Sequence, residues 1–265
     1  MIARVTAIVR QTAEYEVLPM FRKLRPEDIA AKQTPGDPHD IVTITDKAAE
    51  LHLVAALDGL VPDAVFVGEE AVSANPALVE ALSREQPAWL IDPIDGTKNF
   101  ALGNPNFATM LALVLGGVTH ASWMALPAFN DLIFAELGKG TWLNDARIET
   151  PRTPPARLRG TVHNRLMPAD MAAHVQRRLR DQFESQPSTG SAATEYAAIL
   201  RGEKDFVVYY RILPWDHAPG ALALVEAGGA AVHLDGRSYT PLSKDQITIF
   251  AATPRIASSI GELIS

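Results

Sequence analysis

The chain has 265 residues, 47% of them hydrophobic and 21% charged, enough to bury one large core or two adjoining ones. Its formal net charge of -7 arises from 31 acidic and 24 basic residues with no Lys/Arg-rich run, so it offers no electrostatic footprint for a nucleic-acid backbone. Cysteine is absent, which excludes disulfide scaffolds, thiolate zinc sites and cysteine-nucleophile phosphatases and agrees with a cytoplasmic location.

The opening stretch, MIARVTAIVRQTAEYEVLPMF, spaces Ile2, Val5, Ile8, Val9 and Ala13 at helical intervals and reads as an amphipathic helix. No stretch approaches the roughly 20 apolar residues that a membrane span requires. A polar loop, KQTPGDPHD, follows and carries Lys32. Asp46 then opens a helical pattern containing Leu51, Val54, Ala55 and Ala56, where it is either a helix cap or a functional acid. A strand from Ala64 to Val67 runs into Gly68, Glu69 and Glu70, and a second from Ala88 to Ile91 runs into Asp92. ATMLALVLGG, HASWMALP and DLIFAEL have strand length, with GKG as a turn.

Around ETPRTPPARLRG the composition shifts to Pro, Arg and Thr, which predicts two domains, 1–150 and 151–265. Beyond it GTVHNR, DFVVYY, AAVHLDG and ITIFAATP read as strands, interleaved with helices at Asp170 to Arg180, Ser191 to Leu200 and Asp216 to Ala227. The first half is therefore predicted as α+β and the second as α/β.

The strand from Ala88 should stop at Pro93, leaving Asp92 and Asp95 on a turn that Gly96 can bend sharply. Two carboxylates converging there repel unless a cation neutralises them, and magnesium prefers such oxygen ligands. A plain strand-ending turn explains the same letters. Glu69 and Glu70 can equally be a solvated loop, and Asp216 a helix cap. The recurrence of acids after apolar elements favours a gathered site.

GEE at 68 to 70, IDPIDGTKNF at 91 to 100 and PWDHAPGALALVEAGG at 214 to 229 resemble the signatures of the inositol monophosphatase family, as do VTITD and GKGTWLND. The resemblance spans most of the chain, and it implies a layered α-β-α-β-α sandwich of the sugar phosphatase type. It further implies a lithium-sensitive, Mg2+-dependent phosphoric monoester hydrolase with two or three ions per site, often a homodimer. Glu69, Asp92, the Ile94 carbonyl, Asp95 and Asp216 would be metal ligands. Gly96 and Thr97 would hold phosphate through their N–H groups, with Asp95 beside them. Glu69 and Thr97 would orient a water for in-line attack at phosphorus without a covalent intermediate, with Asp46 supporting Thr97. Gly190 and Ser191 fall where the family binds substrate hydroxyls, although a helix cap explains Ser191 as well. On this reading Asp95→Asn abolishes turnover with little loss of fold.

One position departs from the family. Members selective for inositol phosphate carry an acid a few residues before the Trp-Asp pair, whereas this chain has Arg211 in YYRILPWD, a donor that cannot accept. Arg211 either lies on the surface or meets a second phosphate or a carboxylate, and Glu195 is a substitute acid. Histidinol phosphate, fructose 1,6-bisphosphate and adenosine 3',5'-bisphosphate thus stand beside inositol phosphate as substrates. Lys98 reads as a solvated lysine or a substrate contact, Lys32 as soluble surface although it matches a mobile-loop lysine of the family, and His217 as a packed or solvated first-turn histidine or a general acid. A phosphatase using an aspartyl nucleophile would place Asp-x-Asp near its N-terminus, not Asp-x-x-Asp beyond residue 90. A non-catalytic metal- or partner-binding homologue is the alternative of another class.

Overall fold

The structure is a computed structural model that describes residues 1–32, 37–151, 153 and 155–265. Residues 33–36 of the predicted polar loop, and 152 and 154 of the predicted boundary stretch, lie outside the described residues. Helix α1 (Ile2–Thr12) continues as a π-turn over Ala13–Val17. A short antiparallel pair, β1 (Ile29–Ala31) and β2 (Ile41–Thr43), leads into α2 (Ile44–Leu57). Then come β3 (Val65–Gly68), α3 (Glu69–Ala74), β4 (Ala88–Asp95) and α4 (Thr97–Ala101). The antiparallel run β5 (Ala108–Leu115), β6 (Val118–Leu126), β7 (Asp131–Glu136), β8 (Gly140–Leu143) and β9 (Ala146–Ile148) completes the first half. The second half holds β10 (Arg159–Val162), α5 (Ala169–Leu179), β11 (Glu184–Ser185), α6 (Ala192–Leu200) and β12 (Phe206–Tyr209). It ends with α7 (Pro214–Glu226), β13 (Ala230–His233), β14 (Thr248–Ala251) and α8 (Pro254–Ile264).

Among the described residues, β3 to β9 form a seven-stranded sheet in chain order, and β11-β10-β12-β14-β13 a five-stranded one. Side-chain alternation explains how these sheets stack. On β4, Trp89 and Ile91 join Val5 and Val9 of α1 and Leu53 and Leu57 of α2 in one cluster. The intervening Leu90 points to the other face, where with Met110 and Met124 it meets Leu222 and Leu224 of α7. That cluster continues through Tyr196 of α6 to Val207 and Phe250 of the smaller sheet, and on to Ile256 and Ile260 of α8. The result is the layered α-β-α-β-α sandwich. Sequence reading places no element at α8, although Ile256, Ile260 and Ile264 repeat every four residues and are all buried.

His233 illustrates how the smaller sheet handles a buried polar group. Its ring nitrogens face Thr248 Oγ1 at 2.9 Å and Ser243 Oγ at 2.8 Å. Burial lowers its pKa below the usual 6.5, with Asp235 opposing. A base depressed in this way contributes stability above about pH 6.5 that is lost as pH falls towards its folded value. Denaturant unfolding at pH 8 and pH 5 is expected to show a larger acid-induced loss for the native chain than for His233→Gln, which keeps a donor and an acceptor but no charge.

Candidate active site

The end of β4 is a bulged strand rather than the predicted turn. Pairing persists past Pro93, with Asp92 opposite Met110 and Asp95 opposite Ala108, so Pro93 and Ile94 together face Thr109. Pro93 has no N–H to give to the ladder, and its carbonyl instead accepts from Thr109 Oγ1 at 2.9 Å. The extra residue resets the alternation. In a regular strand, residues 92 and 95 would point to opposite faces; here both share the face of Met110 and Ala108, on the side where α6 and α7 begin. Asp216 stands in the first turn of α7, after Pro214, and is not its cap.

Glu69 opens α3 beyond β3, which lies parallel to β4. The N–H groups of Glu70 and Ala71 donate to the two carboxylate oxygens of Glu50, each at 2.9 Å. Gly68 leaves room for this pairing, because a Cβ there would push the Glu50 carboxylate aside. Glu50 was missed in the sequence, though it lies one helical turn after Asp46. Asp46 sits at N3 of a capping box whose cap is Thr43, so the predicted capping role falls to its neighbour. Its Oδ2 accepts from Thr43 Oγ1 at 2.5 Å and from Thr43 N–H at 2.8 Å, which leaves Oδ1 to accept from Thr97 Oγ1 at 3.1 Å.

Gly96 has φ +81°, and a Cβ on it would come within 2.9 Å of Asn106 O and Ser191 Cβ. Thr97 Oγ1 also lies 2.9 Å from Ile94 O as an alternative acceptor. Ser191 caps α6, accepting from Thr194 N–H, while its hydroxyl donates to Asp95 Oδ2 at 2.5 Å. Asp95 further accepts from the N–H groups of Ala192 at 3.0 Å and Ala193 at 2.7 Å. Asp95 therefore anchors the start of α6 across the sandwich, so Asp95→Asn is expected to cost stability as well as turnover. An amide NH2 facing these donors leaves buried groups unpaired.

Glu69, Asp92, Ile94, Asp95, Gly96, Thr97, Gly190, Ser191, Arg211 and Asp216 all line one cleft of about 440 Å³, with Asp46 buried beneath Thr97. Asp92 is 1% exposed, and its Oδ1 has no hydrogen-bond partner among the described residues. Burial, then the charges of Glu69, Asp95 and Asp216, drive its carboxyl well above the usual range. Burial first, then Glu69 and Asp95, does the same to Asp216. Burial also pushes Glu69 to about 7 against the pull of Lys32, and Asp46 to about 6 against its Thr43 hydrogen bonds. Acids held this close lack positive charge, and a hard divalent cation supplies it. The orphaned Asp92 oxygen fits that group. Among the described residues, however, no three acids or histidines form a finished ligand cage. Glu69 Oε1 and Glu70 Oε1 each face Lys32 Nζ at 2.7 Å, and Asp95 faces α6.

A sequence profile of the inositol monophosphatase family matches residues 2–264. The chain belongs to that family. The fructose-1,6-bisphosphatase/inositol-1-monophosphatase of Thermotoga maritima is 33% identical over 208 residues, covering 78% of this chain and 77% of that protein. Bacillus subtilis inositol-1-monophosphatase is 29% identical, covering 87% and 85%, and Vibrio cholerae Nus factor SuhB is 30% identical, covering 84% and 81%. The solved inositol monophosphatase of Thermotoga maritima superposes with a TM-score of 0.80 at 27% identity, covering 97% of this chain and 94% of that one. Membership makes the chain a phosphatase, a phosphoric monoester hydrolase, in a metal-dependent family.

The positions that set this member apart are equally well defined. Arg211 is not a surface residue: its side chain is 19% exposed and lines the cleft. Glu195 does not replace the missing acid, because it is fully buried, with Oε2 taking Lys204 Nζ at 2.5 Å and Oε1 the Thr189 N–H at 2.7 Å. His217 is packed, its Nδ1 against Tyr196 Oη at 2.6 Å and its Nε2 against Arg211 O at 3.2 Å. Burial depresses its pKa to about 3, which leaves no proton to give at neutral pH. Lys98 is exposed at the cleft, and Lys32, read as soluble surface, is only 6% exposed. No helix among the described residues is long and apolar enough to cross a membrane.

Proposed function

We propose that the chain hydrolyses the phosphate monoester of a small polyol or sugar with Mg2+, by in-line attack of water and without a covalent enzyme intermediate. The observation that carries this reading is the shared cleft of Glu69, Asp92, Asp95 and Asp216, with a buried Asp92 oxygen that has no hydrogen-bond partner among the described residues. Glu69, Asp92, the Ile94 carbonyl, Asp95 and Asp216 would hold two or three ions, with residues 1–150 supplying most ligands and 151–265 Asp216 and the substrate contacts. When bound, magnesium supplies Lewis-acid chemistry that makes water nucleophilic at neutral pH and neutralises phosphate charge.

The chain's own groups account for the rest. Thr97 gives its hydroxyl proton to Asp46 Oδ1 or Ile94 O, so its lone pairs are left to accept from the attacking water. Glu69, lining the same cleft, accepts the other proton of that water, and a proton passes to the ester oxygen as its bond to phosphorus breaks. The N–H groups of Gly96 and Thr97, at the start of α4, have no intrahelical partner and face developing charge on the equatorial oxygens. Phosphate release assayed with and without Mg2+ tests the reading: no magnesium-dependent release from any small phosphomonoester would overturn it and favour the non-catalytic alternative. Trapping of a phosphoenzyme would favour the aspartyl nucleophile.

Lys32 Nζ pairs with Glu69 Oε1 and Glu70 Oε1, each at 2.7 Å, and so competes with an ion for Glu69. Burial opposes its charge, yet Glu69 and Glu70 outweigh that and hold the ammonium above its usual range. Lys32→Gln is expected to cost the metal-free fold about 1–3 kcal/mol, because it leaves buried carboxylates uncompensated. The same change should tighten magnesium binding by freeing Glu69. Calorimetric titration checks the second effect, and weaker binding in the variant would mean that Lys32 assists the ion.

A further inference from the structure

A second group of charges lines the cleft, built by Asp37, Arg165 and Arg211. Arg165 Nη1 and Nη2 donate to Asp37 Oδ1 and Oδ2 at 2.8 and 2.7 Å, a two-pronged pairing, and the His39 N–H also donates to Oδ1 at 3.2 Å. The Asp37 side chain is 10% exposed, whereas that of Arg165 is 62% exposed. Arg211 shares the same carboxylate only at a distance, with Nη1 3.8 Å from Asp37 Oδ2. That Nη1 is buried and has no hydrogen-bond partner among the described residues. One carboxylate thus stands between two guanidinium groups and satisfies one of them.

A buried guanidinium donor without a partner is costly, and what relieves it best is an oxyanion of planar or tetrahedral geometry. A polyol hydroxyl can accept one such hydrogen bond but brings no charge. The backbone presenting Arg211 is held in place, since its carbonyl is tied to His217 at the start of α7, one residue after Asp216. Arg211 is also close enough to Asp216 to oppose the effect of burial on that acid. The arginines therefore share one cleft of about 440 Å³ with the acids, within the span of one small molecule.

We propose that Arg165 and Arg211 form a specificity subsite for a second anionic group on the substrate, phosphate or carboxylate, and that Asp37 holds Arg165 in its place until substrate binds. This rests on the phosphomonoesterase reading and narrows it to doubly anionic substrates. Asp37 is an internal competitor, so removing its charge improves binding of such substrates, while removing Arg211 weakens it.

Initial rates with Mg2+ on fructose 1,6-bisphosphate, 6-phosphogluconate, glucose 6-phosphate and inositol 1-phosphate test this. The native chain is expected to favour the first two, which carry a second phosphate or a carboxylate, by about tenfold or more in kcat/KM. Whichever of the two is preferred identifies the anion. Arg211→Gln should cut that preference by about 10- to 100-fold, and Asp37→Asn should lower KM for the doubly anionic substrates several-fold relative to the other two. An improvement of that kind cannot come from a misfolded variant. Equal losses on all four substrates for Arg211→Gln, or no selective fall in KM for Asp37→Asn, would overturn the subsite while leaving a phosphatase. Absence of magnesium-dependent release from all four by the native chain would instead sink the phosphomonoesterase reading beneath it.

Discussion

Asp92→Asn is expected to lower turnover by roughly 10³-fold and, in metal-free protein, to raise the melting temperature. The two effects have one cause. Asp92 is buried on the bulge among Glu69, Asp95 and Asp216, with one oxygen that no group among the described residues satisfies. Its charge is useful only beside a cation, and without one it destabilises the fold. Asparagine keeps the shape and removes the charge. Relief of about 1 kcal/mol moves the midpoint by about 2–4 °C in a chain of this size. With magnesium the order should reverse, because ligand present at about 100 times its Kd adds roughly 2.7 kcal/mol to the native chain and less to a variant that binds it poorly. Turnover and thermal unfolding, each with chelator and with magnesium, decide the matter. A near-normal rate, or a lower metal-free midpoint than the native chain, would remove Asp92 from the ion site. Asp95→Asn is a poorer probe, since its carboxylate also holds the N-terminus of α6.

Gly220→Ala is the largest expected loss of stability, about 3 kcal/mol or more, equivalent to a fall of roughly 10 °C in melting temperature. Gly220 lies in α7 where it crosses α6, and a methyl there runs into the Tyr196 ring. Tyr196 has nowhere to go. It is fully buried, its hydroxyl bonds to His217 Nδ1 at 2.6 Å, and its ring meets Phe250 edge-on at 5.2 Å. The clash can be relieved only by moving α6 or α7, and these helices carry Ser191 and Asp216. Activity should therefore fall along with stability. If Gly220→Ala melts within about 2 °C of the native chain, the close approach of the two helices is not a tight constraint.

Legibility of the site followed the range of the forces involved. Asp92, Asp95, Glu69 and Asp216 were readable because each follows an apolar element within a few residues, and because their letters resemble a known family. The bulge was not readable. Proline in a strand predicts an ending, and the choice between ending and bulging depended on Thr109 of the neighbouring strand accepting two residues opposite one. Lys32 read as surface, and Arg211 stayed open between surface and anion contact, for the same reason: a lone long cation is usually solvated, and their partners lie 37 and 174 residues away, at Glu69 and Asp37. Glu50 and Asp37 carried no local signal that separated them from solvated acids.

By itself the sequence determined where the apolar faces lie, and hence the alternation of helices and strands, the absence of thiol chemistry and the acids that follow particular elements. These properties depend on neighbours a few residues apart, whose spacing is set by helical and strand periods. Only the tertiary structure decided that Asp92 and Asp95 share a face, that Asp95 is spent partly on α6, that Glu195 belongs to Lys204, and that Arg165 and Arg211 compete for Asp37. Each of those outcomes is a contest between charges and donors brought together from distant parts of the chain, and packing decides which of them meet.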